Sequence, residues 1–321
     1  MVILVTGATG FVGRAVTSVA LRRGLRVRGA TRGAPASTAV DGVEYVVGAD
    51  LSHAGDWTTA LKGVDAVVHA AARVHVMHDR ASNPLAEFRR INVEGTVNLA
   101  RQAAFSGVRR FVFISSIKVN GEQTAPNRPF RADAPALPAD AYGVSKREAE
   151  IELCRVGDET GMEVVVVRPV LVYGPGVKAN FAAMMRWLAR GVPLPLGAID
   201  NRRSLVAIDN LVDLVLHCVE HPHAPGQTFL VSDGEDLSTT ALLRRMALAM
   251  RVTPRLIPVP SLLLHAGARV IGRQDLARRL FGSLQVDIEP TKARLGWAPV
   301  ISVDDALGET ARDFERQGPR Q

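Results

Sequence analysis

The sequence predicts an α/β fold, a Rossmann-type doubly wound parallel sheet with a small C-terminal lobe. Three observations lead there. Val2 to Val5 is a short apolar and β-branched run, the pattern of a strand buried on both faces. A glycine turn, Gly7-Ala8-Thr9-Gly10-Phe11-Val12-Gly13, follows without a linker and opens a helical stretch that Gly24 stops. Further strand-like runs at Leu25–Ala30, Val43–Ala49, Asp65–His69 and Arg110–Lys118 alternate with helical segments, the order of a parallel sheet with crossover helices.

The first strand, the glycine turn and the helix N-terminus together make an anion site. Gly7 permits the tight turn, Gly10 lets backbone approach a pyrophosphate, and Gly13 lets the helix pack close to the strand. The second strand ends at Thr31-Arg32, where an acid would accept hydrogen bonds from a ribose 2′-hydroxyl. No acid is present, so Arg32 either pairs with a 2′-phosphate or is a solvated strand-end arginine. After the fourth strand, Ala70, Ala71 and Ala72 are small enough for backbone to lie against a dinucleotide. His69, His75 and His78 have no further ligand group nearby at a recognisable spacing, so no metal is expected.

The chain has 321 residues, 47% of them hydrophobic and 22% charged, as in a soluble globular protein. The boundaries expected are a dinucleotide-binding domain over 1–170, and a substrate lobe over 171–321 with segments returning to the main sheet. The N-terminal run ends too soon for a signal peptide, and Leu256–Gly272 is broken by Pro258, Pro260, His265 and Arg269. Membrane insertion is therefore not expected, and a cytoplasmic location is. Cys154 and Cys218 read as reduced core residues. The net charge of +7 comes from dispersed arginines, with no basic tail or aromatic-interleaved patch. Nucleic acid is thereby disfavoured as a partner, and a basic cleft for phosphorylated small molecules fits better. Monomer and homodimer both remain open.

A helix is predicted over Leu85–Ser106 although Asn92 and Gly95 lie inside it, and both disfavour helix. The proline-rich connection Gly121–Ala139 reads as a loop bordering the substrate. Tyr142 and Lys146 then open a helix that continues to about Gly161; four apart, they share one face. The Lys146 ammonium is expected to favour the phenolate and bring Tyr142 from about 10 to near neutrality, a change of roughly 4 kcal/mol. Ser116, at the end of the fifth strand, is placed to bond the same substrate oxygen.

With these stretches the chain resembles the extended short-chain dehydrogenase/reductases, in the nucleotide-sugar epimerase/dehydratase branch. The resemblance rests on TGATGFVG, HAAA, INVEGTVNLA, FISSIKVNGE, YGVSK, VVVVRPVLVYGPG, NRRSLVAIDNLVDL and KARLGWAP, and covers nearly the whole chain. It implies Ser116, Tyr142 and Lys146 as catalytic residues, with Lys146 also bonding the nicotinamide ribose. NAD(P)(H) is the implied cofactor, with NADP(H) slightly favoured by Arg32, and a UDP-sugar the implied substrate. Asp50 and Leu51 would hold the adenine, Asn92 would support the site, and Gly95 would admit a neighbouring strand.

Departures from the family pattern narrow the reaction. Dehydratases of the branch carry an Asp-Glu pair where this chain has Ile117 and Lys118, which disfavours loss of water. What remains is chemistry at C4 of a UDP-sugar. SSIKVNGE and FLVSDGEDLSTTALLRR resemble 4-keto reductases acting on UDP-4-keto-6-deoxy-N-acetylhexosamines in bacterial polysaccharide clusters, and the expectation leans that way. The alternative is a UDP-glucose or UDP-N-acetylglucosamine 4-epimerase, and a non-catalytic dinucleotide sensor is the rival from another class. On the substrate side the resemblance implies Lys118, Asn180 (in place of an asparagine missing at Leu171), Arg203 and Arg279. An extra residue and Ser283 interrupt the usual pattern after Arg279.

Overall fold

The computed structural model describes residues 1–34, 39–48, 50–52, 54–74, 83–125, 127–260, 262–264, 269 and 280–318. Strands β1 (Val2–Thr6), β2 (Arg26–Thr31), β3 (Glu44–Val47), β4 (Ala66–His69), β5 (Arg110–Ile114), β6 (Glu163–Pro169) and β9 (Thr228–Val231) form one sheet. Its order is β3-β2-β1-β4-β5-β6-β9, and every pairing is parallel. The chain leaves β1 in one direction for β2 and β3 and in the other for β4. The crevice at the strand C-termini between β1 and β4 is therefore the switch point where such sheets bind ligands.

Side chains of this sheet alternate between two cores. Ile3, Val5, Val68, Val112 and Val167 face one side, against α1 (Phe11–Arg22) and α7 (Ile208–Glu220). Leu4, Val67, Phe111, Phe113 and Val166 face the other. There they meet α4 (Gly95–Phe105), α5 (Ala141–Thr160) and Trp57, just before α2 (Thr58–Leu61). Burial on both faces explains why these strands read as continuous apolar runs.

A second, three-stranded sheet pairs β7 (Leu171–Tyr173) in parallel with β8 (Arg203–Ala207), and β8 antiparallel with β10 (Asp236–Leu237). A third core lies here, with Phe181, Met184, Leu205, Leu243, Met246 and Leu307. It is enclosed by α6 (Ala179–Ala189), α8 (Thr239–Ala249) and α10 (Val303–Gln317). The short α9 (Glu289–Leu295) returns to β9.

The long helix expected over Leu85–Ser106 is present as a continuous helical segment, Pro84–Phe105, but it carries a π turn in its middle. After α3 (Pro84–Arg89), residues Arg90–Glu94 form a π turn, and α4 resumes at Gly95. Asn92 sits in the π turn, a wide-turn interruption that inserts one residue into the helical ladder. Gly95 admits the carbonyl of Leu51 rather than a strand: an added Cβ would lie 2.5 Å from that oxygen. Of the two cysteines, Cys218 is buried as expected, but Cys154 is exposed, on the outer face of α5. No helix among the described residues is long and apolar enough to cross a membrane.

Candidate active site

The glycine turn is built around an open helix end. Gly7 adopts φ +65°, and an added Cβ there would come within 3.0 Å of Ala71 backbone, so β1 and β4 deliver two bare backbone segments side by side. Gly13 packs against the turn itself, its missing Cβ falling 2.1 Å from the Gly7 carbonyl oxygen. Helix α1 begins at Phe11 and Val12 with no side-chain cap and no acid in its first turn. Its first amides are thus left for an anion. These features fit a dinucleotide pyrophosphate.

Around this cradle, Arg32 is exposed and has no bonding partner among the described residues. Asp50 is exposed, and Leu51 is half-buried against the second core. Asn92 is 2% exposed and works as a clamp. Its Oδ1 accepts from Arg73 N at 2.8 Å, and its Nδ2 donates to Arg73 O and Ser145 Oγ, each at 3.0 Å. The π turn aims this side chain at both the segment after Ala72 and the helix carrying Lys146.

Lys146 is 2% exposed. Its Nζ donates to Ile114 O at 2.8 Å and lies 4.3 Å from the Phe113 ring centroid. Burial pulls its pKa down to about 7, opposed by the charge of Glu150 one turn on. Tyr142 differs from the expectation. Its phenol is pushed up to about 12, first by burial and then by Asp140, whose Oδ1 caps α5 by accepting from Gly143 N at 2.7 Å. The ammonium does not overcome these two effects, so the phenol stays protonated at neutral pH. Phe88 meets the Tyr142 ring edge-on with centroids 6.1 Å apart. Ser116 caps a short 3-10 turn, accepting from Lys118 N at 3.2 Å, which leaves its hydroxyl proton to donate elsewhere.

His69 is a structural residue. Thr6 Oγ1 lies 2.7 Å from Nδ1 and Thr96 Oγ1 lies 3.0 Å from Nε2, and the ring stacks on Phe113. His75 and His78 lie outside the described residues, among which no metal-binding group occurs. Burial, and secondarily Lys146, lowers the His69 imidazole to about 3. The unfolded chain therefore binds a proton between about pH 6.5 and 3 that the folded one refuses. Stability should fall as pH falls through this window, and His69→Gln should flatten that part of a denaturation-midpoint profile.

On the substrate side, Lys118 is engaged rather than free. Its Nζ pairs with Asp140 and lies 3.6 Å from Glu122. Asn180 is exposed in the first turn of α6. Arg203 Nη1 donates to Gly282 O at 2.9 Å, burial works against its charge, and no described carboxylate pairs with it. Ser283 Oγ accepts from Arg202 N at 3.1 Å, and Ser283 O accepts from Thr124 N at 2.9 Å. The Gly121–Ala139 loop is thus joined to the strand that carries Arg203. Arg279 lies outside the described residues.

A parallel sheet with an open glycine-rich helix end at its switch point, beside a Tyr-x-x-x-Lys helix, defines a dinucleotide-dependent enzyme of the short-chain dehydrogenase/reductase type. The chain belongs to the NAD dependent epimerase/dehydratase family, whose model matches residues 3–232. It is 48% identical over 314 residues to a UDP-glucose 4-epimerase of Vibrio cholerae, an alignment covering 97% of this chain and 95% of that one. It is 30% identical over 266 residues to a GDP-6-deoxy-D-mannose reductase of Pseudomonas aeruginosa, covering 78% and 80%. Among solved structures, the UDP-glucose 4-epimerase of Thermotoga maritima with UDP-glucose superposes with a TM-score of 0.79 at 21% identity, covering 99% of both chains.

Proposed function

We propose that this chain is a UDP-hexose 4-epimerase with UDP-glucose as substrate. The observation that carries this reading is the 48% identity with the V. cholerae UDP-glucose 4-epimerase over nearly all of both chains. It favours the epimerase over the 4-keto reductase towards which the sequence motifs lean. A sensor would not need Ser116, Tyr142 and Lys146 together.

In this reading Gly7, Gly10, Gly13 and the first amides of α1 hold the pyrophosphate, and Ala70–Ala72 line the dinucleotide. When bound, a nicotinamide would supply the hydride acceptor in its oxidised form and the hydride donor in its reduced form, and the positive charge of the oxidised ring would favour the Tyr142 phenolate. Tyr142 takes the proton of the 4-hydroxyl as the C4 hydrogen leaves, and returns it to the 4-keto oxygen from the same position. Ser116 donates to that oxygen while its charge changes. Lys146 holds the nicotinamide ribose and steadies the phenolate. The exposed Arg32, with no acid at the end of β2, lets the site take NADP(H) beside NAD(H).

Arg203 is assigned to the diphosphate, because it is a desolvated cation without a described carboxylate. Arg203→Ala should weaken UDP binding by about 1.5–3 kcal/mol, the scale of a charged hydrogen bond. Calorimetry on the dinucleotide should show little change, and unaltered UDP affinity would return Arg203 to a structural role.

The reaction is tested in two tubes. UDP-glucose alone should yield UDP-galactose without added cofactor, and UDP-4-keto-6-deoxy-N-acetylglucosamine with NADPH should consume none. The opposite pair of results would replace the epimerase with the reductase.

A further inference from the structure

Strand β6 carries a buried charge near its C-terminal end. Arg168 follows four buried valines, Val164 to Val167, and is itself 3% exposed. Its partner is Glu150 on α5, 2% exposed: Nε donates to Oε1 at 2.9 Å and Nη2 to Oε2 at 2.6 Å. Ser115 Oγ, at the end of β5, donates to Glu150 Oε1 at 2.6 Å. Arg168 Nη1 donates onward to Asn120 Oδ1 at 2.9 Å. A buried ion pair of this kind is weak evidence for stability, because desolvation offsets its attraction. Its place in the fold suggests another use. Glu150 lies one helical turn after Lys146, and its other partner, Ser115, adjoins the Ile114 carbonyl to which Lys146 donates.

We infer that Glu150, held in place by Arg168 and Ser115, is a positioning residue that keeps Lys146 charged and seated at the end of β5. The inference rests on the role given to Lys146 above.

The groups around Lys146 leave Glu150 as its main favourable charge. On β4, His69 is neutral; on β5 stand the Phe113 ring and the Ile114 carbonyl. On its own helix are Tyr142, which keeps its proton, and Glu150. Asp140 caps that helix and is paired with Lys118, and Arg168 on β6 is covered by Glu150. Glu150 itself faces Arg168, Ser115, the flanking Arg147 at 3.5 Å and the Cys154 thiol. Removing the carboxylate takes away an attraction and also uncovers the Arg168 cation, so both changes act against the ammonium.

The chain has five lysines, so Lys146 can be followed by carbon-13 labelling of the lysine ε-carbons, with Lys146→Met assigning its resonance. Glu150→Gln should increase the proton dissociation constant of Lys146 about tenfold or more, which moves its titration to lower pH. The alkaline limb of kcat/KM should move with it. Glu150→Met combined with Arg168→Met removes both charges and keeps an apolar fill. This variant should show a smaller shift in the same direction, and it decides the matter if the single variant does not fold. An unmoved Lys146 titration in a folded variant would overturn the inference. Full activity in Lys146→Met would instead overturn the catalytic role of Lys146, while leaving the titration result readable.

Discussion

Tyr142→Phe should cost about two to four powers of ten in turnover, the range for a positioned proton donor and acceptor. The variant keeps the ring that Phe88 meets edge-on and loses only the hydroxyl, so folding should be unaffected. Dinucleotide affinity, set mainly at the glycine turn, should change little. The unliganded phenol, raised to about 12, is a strong holder of its proton. Its use as a base therefore depends on positive charge brought near it, from Lys146 and from the bound oxidised nicotinamide. Near-normal turnover in the variant would remove Tyr142 from the chemistry.

The second large effect is expected at Gly13. A Cβ there would lie 2.1 Å from the Gly7 carbonyl oxygen and 2.7 Å from its carbonyl carbon, and backbone cannot rotate away as a side chain can. Gly13→Ala should therefore push α1 off the turn. The cost should reach about 3 kcal/mol or more, the upper part of the range for overpacking. Dinucleotide binding should fall with it, because the same displacement disperses the amides of Phe11 and Val12. A melting temperature and a dinucleotide affinity both unchanged would show that the turn can relax, and that Gly13 does not shape the cradle.

Much of the sheet could be read from residues alone, since strands buried on both faces write themselves as runs such as Ile3–Val5 and Val164–Val167. The glycine turn was legible for the same local reason. The π turn at Arg90–Glu94 is signalled by Asn92 and Gly95, but a regular helical reading absorbs two poor residues when the flanking pattern is periodic. What Asn92 does depends on Arg73 and Ser145, 19 and 53 residues away in sequence. No local spacing brings those together. Tyr142 holds its proton more tightly than its spacing implies, because helical spacing shows the lysine on the same face, and not the burial or the Asp140 cap. Lys118 stood in a position that suggested substrate, but Asp140, 22 residues on, takes its charge.

Glu150 and Arg168 carry a local signal of their pairing. An arginine directly after four buried valines in a parallel strand requires a buried carboxylate, and Glu150 is the acid one turn beyond Lys146 on the helix that packs against that strand. Thr6 carried less: its hydroxyl accepts from Ala71 N at 3.2 Å and bonds His69, a pairing that follows from the β1–β4 register.

In the proposed epimerisation the C4 hydrogen leaves the sugar and returns to the same carbon while Tyr142 moves the proton on oxygen. UDP-glucose carrying deuterium at C4, incubated with the protein in ordinary water, tests this directly when the sugar product is separated and its mass measured. UDP-galactose that retains the deuterium at C4 is the expected product. Product in which the label has been replaced by solvent hydrogen would contradict it, since that result requires removal of the C4 hydrogen as a proton.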